Sequence, residues 1–266
     1  MNMAPATTSA YLYAITASHT AVDTTTLPGI LDSTGRPGVP QWVADGPLGA
    51  VISAFDGRRV RPERRNLSAH QGVLRALMDK EIPFLPVAFG VVVPSSQDLL
   101  ALLCANRDMI VRDLERLSGK VEMGLKVMWD VPNIFEFFVF QNPGLAQLRD
   151  QVMKAPGGSS RGDKITLGRA FEVLLCEKRE EHEATITQAL SACAVEFRAD
   201  PPRDEKMVVN LACLIERKRE KAFEQAVLKA ASSFDDNYSF DYSGPWPPYH
   251  FVSASLPEPV QSQLVR

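Results

Sequence analysis

An α+β fold in two domains is predicted by three features of this sequence. Short apolar runs with strand character alternate irregularly with amphipathic helical segments. The chain has 266 residues, more than one average domain. Gly119 separates a long capped helical pattern from a strand that opens a new unit. The boundaries read as residues 1–118 for an N-terminal α+β domain and 119–266 for a C-terminal domain that carries a tail rich in proline and aromatic residues.

In the N-terminal half, YLYAITA from Tyr11 predicts a first strand and LGAVISAF from Leu48 a second. Between them runs a long loop rich in Gly, Pro, Ser and Thr, with room for a short strand near Trp42. Ser68 and Gln71 have the S-x-x-Q spacing that satisfies the free N–H groups opening a helix. Val73, Leu74, Leu77 and Met78 then line one face, and the helix stops by Glu81, before Pro83. FLPVAFGVVV, Phe84 to Val93, is apolar throughout and too short for a helix, so it reads as one buried strand. Ser95 and Asp98 cap a long helix with Leu99, Leu103, Ile110, Leu114 and Leu117 inward, ended by Gly119.

KVEMGLKVMWD has a clean period of two: Val121, Met123, Leu125, Val127 and Trp129 face one way, Glu122, Lys126 and Asp130 the other. A helical stretch from about Gly144 to Met153 and the polar loop APGGSSRGD follow, then a helix from about Lys164 to Cys193 whose charged run EKREEHE is exposed. AVEF and MVVNLACLI read as a hairpin, and the second strand is apolar on both faces and therefore central. An amphipathic helix with Phe223, Val227 and Ala230 inward and a last strand, YSFDYS, complete the half. The order is the split βαβ arrangement (βαββαβ) of ferredoxin-like domains, with an extended helical insertion.

Composition narrows the function. With 45% hydrophobic residues and a net charge of -3, nothing attracts phosphate backbones or anionic lipid at long range, so no nucleic-acid partner is expected. No stretch reads as a signal peptide or a membrane span, which predicts a cytoplasmic protein without membrane insertion. The four cysteines, Cys104, Cys176, Cys193 and Cys213, sit in apolar-periodic segments and read as reduced core thiols. No phosphate-binding glycine loop, nucleophile elbow or metal-spaced His pair is present, so no catalytic, cofactor-binding or metal residues are assigned and no enzyme is expected. His19, His70, His182 and His250 are scattered, and a lone His usually packs or solvates.

Three segments remain as candidates. ERKREK, Glu216 to Lys221, is diluted by glutamates and reads as a solvated helix face. RRVRPERR holds five arginines (Arg58, Arg59, Arg61, Arg64 and Arg65) against one glutamate; it reads as a solvated loop, with an acidic partner as the second reading. SGPWPPYHFV, Ser243 to Val252, has prolines that cannot donate ladder hydrogen bonds, so it turns away or runs along an edge. Its Trp246, Tyr249 and Phe251 are read as folding back to close the core or the domain boundary, with direct docking of a partner as the alternative.

NLSAH from Asn66, LPVAFG from Leu85, GKVEMGLKVMWD from Gly119, EKMVVNLACLIER from Glu205 and YSGPWPPYHFV from Tyr242 together resemble the gas vesicle protein GvpL/GvpF family. The resemblance spans Tyr11 to about Val252, and its one departure is Val91, where a Thr is expected after the Phe-Gly pair. It implies an accessory, non-enzymatic protein of gas vesicles, a minor component that binds the hydrophobic shell subunit and other accessory vesicle proteins during nucleation and prevents aggregation. A small-ligand-binding or enzymatic ferredoxin-like domain is the alternative that the residues leave open.

Overall fold

In the computed structural model, which describes residues 9–32, 34–56, 59–154 and 160–254, the chain divides into two compact units. One comprises residues 1–122 together with 245–266, the other residues 123–244. The Pro/aromatic tail, counted with residues 119–266 on sequence grounds, thus groups with the N-terminal unit.

The first unit is organised around strand β1, Ala10–Ala17, which is buried along nearly its whole length. It pairs antiparallel with β3, Leu48–Ala54, on one side and with β4, Phe84–Pro86, and β5, Val92–Val93, on the other. The edge strand β2, Pro40–Asp45, pairs with β3 through a tight turn at Gly46-Pro47, where Gly46 takes φ +57°. The single strand expected over Phe84 to Val93 is therefore two. A bulge in β1 between Leu12 and Ala14 shifts the register, and Gly90, at φ +93°, turns the chain so that Phe89 leaves the sheet.

Helix α1, Arg64–Asp79, starts one turn earlier than its S-x-x-Q signal predicts, so Ser68 lies inside it. The reason is tertiary. Asn66 is buried, its Oδ1 accepting from the Leu31 N–H at 2.9 Å and its Nδ2 donating to the Arg61 carbonyl at 3.1 Å, which fixes the extra turn. The long helix expected before Gly119 is broken at Asn106 into α2, Ser96–Ala105, and α3, Arg107–Leu117. Ser95 caps α2 by accepting from the Asp98 N–H at 3.1 Å, and Gly119 turns the chain at φ +68°.

The second unit is a four-stranded sheet in the order β7-β8-β6-β9, formed by β6, Lys120–Trp129, β7, Ala194–Ala199, β8, Met207–Glu216, and β9, Tyr238–Trp246. β8 lies inside the sheet and is buried on both faces. β9 is an edge strand that extends through Pro245 to Trp246, three residues past the strand YSFDYS. Its helices are α4, Ile134–Gln141, α5, Pro143–Met153, α6, Arg161–Leu190, and α7, Glu220–Ala231. Trp129 at the end of β6 anchors them. Its ring meets Phe138 at 5.4 Å and Tyr238 at 6.4 Å, and the Arg179 guanidinium lies 5.7 Å from its centroid. None of the four cysteines is in a disulfide, but only Cys193 and Cys213 are buried; Cys104 and Cys176 are exposed, contrary to their reading as core thiols. An amphipathic helix needs only a stripe of apolar residues inward, and these two fall beside the stripe.

Two glycines give contrasting predictions. A Cβ at Gly119 would meet nothing within 4 Å, so Gly119→Ala costs only the left-handed backbone, about 1 kcal/mol. A Cβ at Gly29 would overlap the Gly38 carbonyl oxygen, and Gly29→Ala is expected to cost about 3 kcal/mol through forced repacking. Urea denaturation of both variants checks the order.

Candidate functional site

After Trp246, Pro247 and Pro248 are buried and lead into a short 3-10 turn, Tyr249–Phe251. Phe251 is 1% exposed and belongs to the core of the first unit. Three buried polar side chains from three different elements hold this strip. Asp113 of α3, 3% exposed, accepts from the N–H groups of Ser253 at 2.6 Å and Ala254 at 3.0 Å. Its other oxygen pairs with Arg116 at 3.0 Å, and Arg116 also donates to the Phe251 carbonyl. Glu122 of β6, placed by its period-two pattern on the face opposite the apolar residues, is 6% exposed because the strip covers it. It accepts from the His250 backbone N–H at 3.0 Å and faces the His250 Nδ1 at 2.7 Å.

The third anchor is His70 of α1, fully buried four residues after Asn66 on the same helical face. Its Nδ1 lies 2.8 Å from the Tyr11 hydroxyl and its Nε2 3.2 Å from the Tyr249 hydroxyl. The Gly90 N–H donates to the Tyr11 oxygen at 3.2 Å, and because the neutral imidazole has one N–H and one acceptor nitrogen, one of the two tyrosine hydroxyls donates to His70 while the other accepts from it. Burial, only partly offset by the Val87 carbonyl, holds His70 down to about 4. Burial likewise pushes the Tyr11 and Tyr249 phenols up, so both remain neutral. Phe89, Tyr13 and Tyr11 enclose the imidazole at centroid distances of 5.7, 5.9 and 5.7 Å. The turn at Gly90 that breaks the expected strand is what places Phe89 there.

The three aromatics singled out from sequence are thus in different environments. Phe251 is core and Tyr249 is half-buried and hydrogen-bonded, whereas Trp246 is 44% exposed. Beside Trp246 opens a groove of about 310 Å³, lined by Ser68, Gln71, Gly72, Arg75 and Met78 of α1 and by Pro245, Trp246 and Pro247. Nothing local in the sequence links these two segments.

The arginine run divides. Arg58 lies outside the described residues. Arg59 and Arg61 line a separate cavity of about 320 Å³ with Asp32, Glu63, Phe55 and Asn66, and Arg61 is 3.9 Å from Glu63. Arg64 and Arg65, read as part of a solvated loop, instead form the first turn of α1, because the helix extends back to place Asn66. ERKREK is likewise not one helix face: Glu216 ends β8, Arg217–Arg219 form a 3-10 turn, and α7 begins only at Glu220.

The second unit carries a feature that the sequence reading missed. IFEFFVFQ forms the helix α4, capped by Asn133, with Asn142 capping α5 in turn. Its six apolar or aromatic positions show no helical period, but the two Asn caps, the second followed by Pro at N1, were a usable signal. Phe135 and Phe138 pack on Phe171 of α6 at 5.4 and 5.6 Å. Phe140 is 92% exposed, and Met153 of α5 and Val173 of α6 are also exposed. His182 meets the Tyr238 hydroxyl at 3.0 Å. Among the described residues no three His, Cys, Asp or Glu side chains are placed to hold a metal ion, and no helix is long and apolar enough to cross a membrane.

The clamp makes stability pH-dependent. His70 is held below its unfolded value of 6.5, so on acidification the unfolded chain takes up a proton first. Its contribution is full above about pH 6.5, is lost progressively towards pH 4 and is constant below. The change amounts to about 3 kcal/mol. His70→Gln, which cannot titrate, should flatten the stability profile in that window, as read by urea denaturation at successive pH values. Tyr249→Phe should lower stability by about 1 kcal/mol by removing the hydroxyl that meets Nε2.

Comparison with known proteins matches residues 9–253 to the family described as gas vesicle synthesis protein GvpL/GvpF. Gas vesicle protein F of Streptomyces sp. (strain CB03234) is 30% identical over 246 residues, covering 92% of this chain and 99% of that protein. Gas vesicle protein L of the same strain is 27% identical, covering 95% and 96%. The crystal structure of GvpF from Anabaena sp. PCC7120 superposes with a TM-score of 0.77 at 25% identity, covering 94% of this chain and all of that one. With both its sequence pattern and its α+β architecture of two antiparallel sheets accounted for along nearly the whole length, the chain belongs to the GvpL/GvpF family of gas vesicle proteins.

Proposed function

We propose that this protein is a non-enzymatic assembly factor and minor component of gas vesicles. It binds the small hydrophobic shell subunit and other accessory vesicle proteins during nucleation, in the cytoplasm and at the growing vesicle, and keeps the shell subunit from aggregating. The family relationship supports the vesicle role. The observation that carries the binding role is Phe140, 92% exposed at the end of an aromatic helix whose neighbouring helices in the same unit also expose Met153 and Val173. Such apolar exposure is a liability unless it meets another apolar surface. The strand order β7-β8-β6-β9 supports reading the second unit as ferredoxin-like, with α4 and α5 as the helical insertion.

Coexpression with the shell subunit, followed by sedimentation, tests the reading. The wild-type protein should hold the shell subunit in the supernatant, and Phe140→Glu should release it to the pellet without lowering the protein's own Tm, because the replaced side chain is solvent-exposed. A shell subunit that pellets equally with and without this protein would refute the proposal.

A further inference from the structure

We infer that the groove between α1 and the Pro245–Pro247 strip docks a short partner segment that carries a large apolar side chain flanked by carboxylates. The inference rests on the reading that the protein binds other gas vesicle proteins and adds where, and to what chemistry.

The shape of the groove sets the apolar part. At about 310 Å³ it stands at the small end of ligand pockets, which run from roughly 300 to 1,000 Å³. That suits one or two side chains better than an extended cofactor. Met78, Pro245, Trp246 and Pro247 supply apolar wall, while Ser68 and Gln71 supply polar rim. Gly72 sets the close packing beneath: a Cβ there would come within 2.8 Å of Pro28 Cγ. Trp246 stands between two prolines whose φ angles are fixed, and the chain beyond it is tied to Glu122 and Asp113. A half-exposed indole on so restrained a backbone loses little conformational entropy on binding, which is the profile of an interface anchor.

Charge sets the rest. Helix α1 carries Arg64, Arg65 and Arg75 against one acidic residue, Asp79 at its last position, in a protein whose net charge is -3. All three arginines are exposed, and none makes a side-chain hydrogen bond or ion pair among the described residues. Arg64, Ser68, Gln71 and Arg75 recur at helical spacing on one face; Arg75 lines the groove and Arg64 stands one turn before Ser68, their backbones about 16 Å apart along the axis. Carboxylates on either side of the inserted side chain would meet them, and lysines would be repelled. A single-stranded nucleic acid would also seek arginine and an aromatic ring, but it needs successive stacking platforms, and this groove presents one.

The test uses the full chain and a fluorescein-labelled helical peptide with Phe and Leu on one face and Glu beside them, read by anisotropy. A second peptide has Lys for each Glu, and an oligothymidylate of similar length is the third probe. The acidic peptide should bind and the lysine peptide should not. Trp246→Ala and Arg75→Glu should each weaken binding about tenfold or more, with the Arg75 effect shrinking at high salt. Trp246→Phe should retain part of the affinity, and a Tm close to wild type for each variant shows that the fold is kept. No binding of the acidic peptide, equal binding of both peptides, variants that bind like wild type, or preference for the oligonucleotide would each overturn the inference. Failure of the shell subunit to bind, with the acidic peptide still held, would instead remove the shell subunit as partner and leave the groove standing.

Discussion

The first unit depends on the satisfaction of two buried carboxylates by backbone N–H groups from the far end of the chain. Asp113 and Glu122 are almost wholly out of solvent, and an uncompensated charge in such a place costs several kcal/mol. Three N–H donors, from His250, Ser253 and Ala254, provide the compensation. The helix α3, the start of β6 and the strip from Tyr249 to Ala254 are therefore mutually obligatory. Phe251 could not stay in the core without the carboxylates that hold its neighbours, and the carboxylates could not be buried without the strip.

That constraint explains how one helix serves two purposes. The inward face of α1 presents Asn66 and His70, one fastening the loop around Leu31 and the other the Tyr249 hydroxyl. Its outward face carries the arginines and the groove. Because His70 is tied to both Tyr11 and Tyr249, the strip that follows Trp246 is held to β1, the central strand of the first unit. Rigid scaffolding beneath an exposed aromatic is what a binding surface requires, since motion there would return as an entropic cost on association. The second unit is built differently, around the aromatic contacts of Trp129, Phe138 and Phe171, and leaves Phe140 outside them.

How much of this was legible follows from the range of each interaction. The period of two in KVEMGLKVMW, the Ser95–Asp98 cap and the Gly119 turn act over a few residues, and each stands in the structure as its local pattern predicts. Two of the places where local reading failed involve distant partners. The S-x-x-Q pattern was overridden because Asn66 bonds to Leu31, 35 positions away. The apolar run from Phe84 to Val93 was cut because β1 bulges and Tyr11 accepts from Gly90. Asp113 offered no signal at all: a lone carboxylate in a charged helix reads as solvent-facing until the strip that covers it is in place.

By itself the sequence determined the two sheets' principal strands, most of the helices, the exclusion of the proline-bearing strip from a central strand and the family, because these follow from short-range sterics, from hydrophobic periodicity and from motifs spread along the chain. Only the tertiary structure decided the fate of the three tail aromatics, which their proline-rich setting could not distinguish. Phe251 is core because Asp113 and Arg116 draw its backbone inward, Tyr249 is half-buried because His70 needs a partner for its second nitrogen, and Trp246 remains exposed because it stands before the first anchor. Burial is set by which groups 100 residues or more away must be satisfied, and no local pattern encodes that.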